Sequence, residues 1–445
     1  MPDSATLPAN PAPRRLLAIL GVGFGIAVTI GNTIGGGILR TPGEIAQHLP
    51  TVLPYLAVWV IGGLYALLGA NALAELATMV PRSGGQYVFV RHALGDFAGF
   101  IVGWSDWLST CGTTALVSII IGEYALIYLP EMRAFEVIAL LTIGLLTCVQ
   151  WLGVRWGAAA QNVTSVMKAV VLLALIGACF YLGGRSPFSE SFVTEGDKTF
   201  FVAFMLSIAS VIYTYDGWSG VIYFSEEVRN PGRAIPRAMF GGVLLVIVIY
   251  LLINVGFLRV VPLGSIAGQK LAAGVVAQHI FGGYADPVLR SLFIISLLSA
   301  VNSNVLMAPR VLFAMASDGL FWRGAREVNS GGTPDMALLI SSIIAAGFVL
   351  TGTFETVIAK LSFFFVANYA LSFVSLFVLR RREPNAERPY RAWGHPFTTG
   401  LALVASVAFL IAAMASDTRN SIYTLVLLAL SYPVYRLMRR RPSSS

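Results

Sequence analysis

Three ionisable side chains stand inside long apolar runs of this sequence: Asp106 in GWSDWLST, Lys168 in TSVMKAVVLL and Asp216 in VIYTYDGWSG. A charge buried in hydrocarbon costs about 2.5 to 3.5 kcal/mol, so each must be paired, drawn to an interface or put to use. Lys168 lies about seven residues, roughly 10 Å, into its run. At that depth it either snorkels to the interface or reaches a partner inside the protein. Asp216 can favour a cationic or amine group, carry a proton, or cap a broken helix. The three cysteines, Cys111, Cys148 and Cys179, form no CxxC pair, and His48, His92, His279 and His395 are scattered. No metal centre, cofactor or hydrolytic cluster is therefore expected.

Two further segments can do chemistry with their backbone. The first reads GNTIGGGI, with Gly31 and then Gly35, Gly36 and Gly37; the second reads YTYDGWSG, with Asp216, Gly217 and Gly220. Glycine weakens a helix by up to about 1 kcal/mol per residue, so both runs are expected to unwind. Within a bilayer, unwound backbone survives only where protein or a water-filled cavity satisfies its polar groups. After the first break, the N–H groups of Gly36 and Gly37 would open a half-helix and can bind a carboxylate. Carbonyls freed near Tyr213, Thr214 and Tyr215 can accept hydrogen bonds from an ammonium group. With Thr33, Ile34, Gly35, Asp216 and Gly217 they make a candidate site for a zwitterion such as an amino acid. Tight helix packing through glycine is the competing explanation for either segment alone.

The elements that carry these residues follow from composition. Of 445 residues, 56% are apolar and 12% charged, against about 25% charged in soluble domains. Such a chain is an all-α membrane protein, and its apolar content suffices for roughly twelve spans of about 20 residues. Apolar segments run over 16–40, 52–79, 97–129, 134–154, 162–183 and 199–224, then 237–260, 287–316, 336–353, 355–379, 397–415 and 420–437. The first is too long for a signal peptide and reads as a retained helix. Twenty Lys and Arg fall in segments on the N-terminal side against nine opposite. That bias places both termini in the cytoplasm, and it explains the basic balance without nucleic acid. The Gly-interrupted segments are the first and sixth, equivalent places in two five-helix halves, which points to an inverted-repeat transporter. Glu226 and Glu227, close to Arg229, Arg233 and Arg237, are expected to form an ion network at the cytoplasmic end.

Gly31-Asn32-Thr33-Ile34-Gly35-Gly36-Gly37-Ile38 resembles the G-x-x-x-G-S-G-I segment of the amino acid, polyamine and organocation transporter superfamily, with Gly36 where Ser is usual. Glu75-Leu76 through Pro81, Gly84-Gly85 and Tyr87 resembles its E-L-x-x-x-x-P-x-x-G-G-x-Y signature. Gly217-Trp218, Glu226-Glu227, Asn230-Pro231 and Pro236 resemble the GW, EE, NP and P pattern, and Arg388-Pro389 the RP loop. These matches run from about residue 20 to 396 and place the chain on the side of the L-type amino acid transporters and their bacterial relatives.

The resemblance implies a LeuT-type fold of five plus five inverted helices with two appended, in the cell (inner) membrane, working by alternating access. It implies an aromatic gate at Tyr213 and a proton-coupling role for Lys168, in symport or in exchange, with symport favoured. Asp106 follows a W-x-acid pattern of the L-type group and is either a support for the site or a packing contact. Asp216 departs from the L-type pattern, which has Gly there, and keeps a polyamine or organic-amine carrier open. The L-type transporters of animals join a partner through a cysteine between spans three and four. Pro130-Glu131-Met132-Arg133 has none, so no disulfide-linked subunit is expected. The expected organisation is a disordered cytoplasmic N-terminus over 1–15, repeats over 16–183 and 199–380, two helices over 397–437, and a basic tail over 438–445.

Overall fold

The computed structural model describes residues 16–129, 134–184, 199–351, 354–416, 431–436 and 438, with backbone alone for 354–363, 413, 415 and 416. The expected N-terminal segment, the Pro130–Arg133 loop, most of the run 420–437 and nearly all of the tail lie outside the described residues. Among the described residues the α-helices follow one another as α1 Val22–Thr33, α2 Gly37–His48, α3 Val52–Met79, α4 Gln86–Leu94, α5 Asp96–Ala125, α6 Phe135–Trp151, α7 Val154–Tyr181 and α8 Phe200–Tyr215. After a 3-10 turn at Gly220–Phe224 come α9 Pro231–Val260, α10 Leu263–Ile266, α11 Ala272–Phe281, α12 Ala285–Ser317, α13 Asp335–Leu350, α14 Phe354–Arg382 and α15 Phe397–Ser416. Among the described residues there is no β-strand; a single isolated bridge pairs Leu20 with Val228.

Among the described residues seven segments are long and apolar enough to cross a bilayer, and α1 with α2, bent by 48° at their junction, make an eighth if the pair is one broken span. The protein is a multi-pass membrane protein. Helices α6 and α13, and Phe397–Ala412 of α15, are shorter apolar helices. Apolar residues cover these helices all round, so the ones facing other helices form the core and those facing outward, such as Leu145, Val166, Leu173 and Leu401, remain exposed.

Helix α1 lies between α7 and α9, α3 runs along α8 and α9, and α12 runs along α5. The turn from α3 to α4 explains the Pro-x-x-Gly-Gly signature. Gly84 and Gly85 take φ of +124° and +66°, and a Cβ on Gly85 would stand 2.5 Å from the Tyr223 ring. Only glycine gives the chain both the left-handed turn and that approach.

At the end of the bundle where α1 begins, ion pairs join the elements. Arg310 of α12 grips Glu227 through two bonds of 2.8 and 2.9 Å, both side chains fully buried. This corrects the expected network: Glu227 turns inward to a distant arginine instead of to its sequence neighbours, and the bidentate pair offsets the cost of burying both charges. Arg82 and Arg91 meet Asp318 at 2.9 and 3.1 Å. Glu75 takes Arg380 at 2.5 Å, Arg388 at 3.0 Å and the Ala392 N–H at 2.7 Å, which ties the RP loop to α3.

Candidate functional site

Both glycine-rich segments break where expected. Helix α1 stops at Thr33 and α2 starts at Gly37, with Gly36 as its N-cap and no side chain capping its first amides. Helix α8 stops at Tyr215, and Gly217 turns the chain with φ +103°. A Cβ at Gly217 would come within 2.8 Å of the Asn32 backbone, so the two breaks touch. The Asn32 side-chain amide donates to Gly217 O at 3.3 Å, and the Thr41 and Thr214 hydroxyls lie 2.9 Å apart.

Lys168 does not snorkel. It is fully buried, and its ammonium donates to Gly31 O at 2.7 Å and to Ile34 O, the carbonyls released at the end of α1. Ser296 adds a bond to Ile34 O at 3.4 Å. The cost of burying this charge is thus offset by acceptors that unwinding itself provides.

Tyr250 of α9, in an apolar run that carried no signal, is one residue that sequence reasoning missed. Its hydroxyl lies 2.9 Å from Thr33 O and 2.9 Å from Thr214 O, one carbonyl from each break. Its ring packs against Tyr215 and Trp59, with centroids 4.8 and 5.7 Å away.

A cavity of about 940 Å³ borders both breaks. Of the expected residues, Thr33, Gly35, Gly36, Gly37, Tyr213, Thr214, Asp216 and Gly217 line it. Ile34 and Tyr215 are buried away from it: the side chain of Ile34 is in the core, and Tyr215 faces α3 and α9. Lys168 and Asp106 stand behind its walls. Asp106 is buried on α5 with both carboxylate oxygens at 2.8 and 2.9 Å from the hydroxyl of Tyr223, itself a lining residue. Asp216 accepts from Tyr369 at 2.8 Å, and Tyr369 stacks on Trp218 with centroids 4.8 Å apart. Tyr213 is 39% exposed beside the cavity. The hydroxyl of Thr33 is buried with no hydrogen-bond partner among the described residues. Toward one end the lining continues to Arg40 and Glu44 on α2 and Phe201 on α8, while no residue of the opposing Arg310–Glu227 seal belongs to it.

Arranged this way, the site offers amide donors at α2, a free hydroxyl at Thr33 and acceptors at Thr214 and Asp216. Gln86, Thr110, Ser219 and Asn304 add uncharged polar groups to its walls. The lining thus sets donors of one break beside acceptors of the other, with uncharged polar groups between them.

Several known amino acid transporters and exchangers are similar to this chain. The serine/threonine exchanger SteT of Bacillus subtilis (strain 168) is 27% identical over 439 residues, covering 96% of this chain and 98% of the relative. The b(0,+)-type amino acid transporter 1 of Homo sapiens is 28% identical over 397 residues, covering 86% and 80%. The Asc-type amino acid transporter 1 of Mus musculus is 27% identical over 383 residues, covering 84% and 72%. The amino acid permease family model matches residues 25–431, and the chain therefore belongs to the amino acid permease family, within the amino acid, polyamine and organocation superfamily.

Proposed function

We propose that this permease carries a small neutral amino acid by alternating access, holding the carboxylate on the Gly36 and Gly37 amides and the Thr33 hydroxyl. The ammonium group rests among the carbonyls of the α8 break, with Tyr213 closing over it as an aromatic gate. The observation that carries the reading is the shared cavity: backbone donors of one break and acceptors of the other line the same space. Serine and threonine are the favoured substrates, supported by the uncharged polar walls and by the name of the Bacillus relative.

Exchange is the transport mode that the name of the Bacillus relative supports. Proton symport is the second mode, supported by Lys168, which links an ionisable group to the first break. The twelve-span, five-plus-five reading, with repeats over 16–183 and 199–380 and two helices over 397–437, is supported by the eight long spans, the three shorter apolar helices and the apolar run 420–437. Cytoplasmic termini in the cell (inner) membrane are supported by the basic bias of the N-terminal side.

Thermal melting of the purified protein with L-serine, L-threonine or polyamines, at two pH values, tests the substrate class. A ligand at a hundred times its Kd adds about 2.7 kcal/mol of stability. Stabilisation by the two amino acids is expected. Stabilisation by polyamines alone would favour instead the amine carrier that Asp216, on the cavity wall, keeps as a second reading.

A further inference from the structure

Beyond the breaks, one stripe of α2 borders the cavity at every fourth residue: Gly36, Arg40, Glu44 and His48. Side chains at that spacing share a face, about 5–6 Å apart at Cβ. Arg40 and Glu44 carry opposite charges on it, yet each is held by a neutral partner. An Arg40 N–H donates to Tyr124 Oη at 3.2 Å, and the Ser210 hydroxyl donates to Glu44 at 2.8 Å. Neither enters an ion pair among the described residues. The rest of this part of the wall includes apolar residues such as Val117, Ile120, Met205 and Leu206.

A cation and an anion one turn apart on a wall, unpaired with each other and set among apolar residues, are the complement of a zwitterion. Glu44 is also too far out to serve the central site. At 1.5 Å per residue, Glu44 stands roughly 12 Å along α2 from Gly36. The cavity has room for both places: its volume of about 940 Å³ lies near the top of the ~300–1,000 Å³ range of sites for drug-sized ligands, far larger than serine or threonine.

We propose that Arg40 and Glu44 form a second, outer station for a zwitterionic amino acid, its carboxylate on Arg40 and its ammonium on Glu44, loaded from the extracellular side before the central site. This rests on the central-site reading above. The station concentrates substrate at the mouth and sets the apparent affinity on that face alone.

Equilibrium binding of tritiated L-threonine to the purified full-length chain tests it. Two equivalents are expected for the native protein and one for Arg40→Gln/Glu44→Gln. Both positions are exposed, so these replacements leave the fold intact. One equivalent on the native chain, or two retained by the double variant, overturns the outer station and leaves the central site standing; no binding by the native chain removes both. In proteoliposomes the double variant is expected to raise the extracellular-face KM about tenfold, the scale of one lost charge-assisted contact, without changing that of the cytoplasmic face. Equal changes on the two faces also overturn the proposal.

Discussion

Lys168 and Tyr250 do similar work with different chemistry, since each supplies donors to carbonyls that an unbroken helix would have satisfied itself. Replacing Lys168 by Ala removes charged donors from two buried acceptors, and a loss of roughly 1.5–3 kcal/mol in stability is expected. Proteoliposome uptake by this variant is expected to vanish or to lose its dependence on a proton gradient; full proton-driven uptake would end the coupling role. Tyr250→Phe keeps the ring against Trp59 and Tyr215 and deletes only the hydroxyl. It is expected to cost about 1 kcal/mol in thermal unfolding and to weaken binding of L-threonine. Lys168 was conspicuous in the sequence because a lone charge in an apolar run demands an explanation. Tyr250 was not, because an aromatic residue in a membrane helix satisfies every local expectation; its meaning arises only when α9 is placed between two breaks distant in sequence.

The breaks themselves were legible, since runs of glycine weaken helices whatever the surroundings. Which side chains near them would face the cavity was not. Ile34 and Tyr215 belong to the same segments as Gly35 and Thr214 but point into the core, a choice made by neighbours such as Trp59 and not by local sequence. The conformation at Gly217 has a measurable requirement. Its φ of +103° and its approach to Asn32 exclude a side chain. Gly217→Ala is therefore expected to cost about 1–3 kcal/mol through backbone strain and to abolish saturable binding. Wild-type affinity in that variant would show that the break tolerates another geometry.

Across the whole molecule the cavity reaches toward one end while ion pairs close the other. Glu227 and Arg310 are the most buried of these pairs, so breaking one member leaves a charge without compensation. Glu227→Gln is expected to destabilise the protein by roughly 3–5 kcal/mol in thermal melting, and Glu227→Gln/Arg310→Met to recover part of that loss. The count of arginines at this end was readable in the sequence as a topology signal, but the choice of Arg310 over nearer arginines was not, because it depends on how α12 crosses the segment after α8. Beside this pair, Leu20 and Val228 are joined through the main chain: Leu20 N–H donates to Glu227 O at 2.9 Å and Arg229 N–H to Leu20 O at 2.8 Å. The segments flanking the two broken spans are thus stitched together by peptide groups. Any residue other than proline at 20 and 229 supplies the same two N–H groups. A joint of this kind survives almost every substitution and leaves no mark on residue type, so the part of the molecule that fastens two distant segments to each other is the part a sequence is least able to announce.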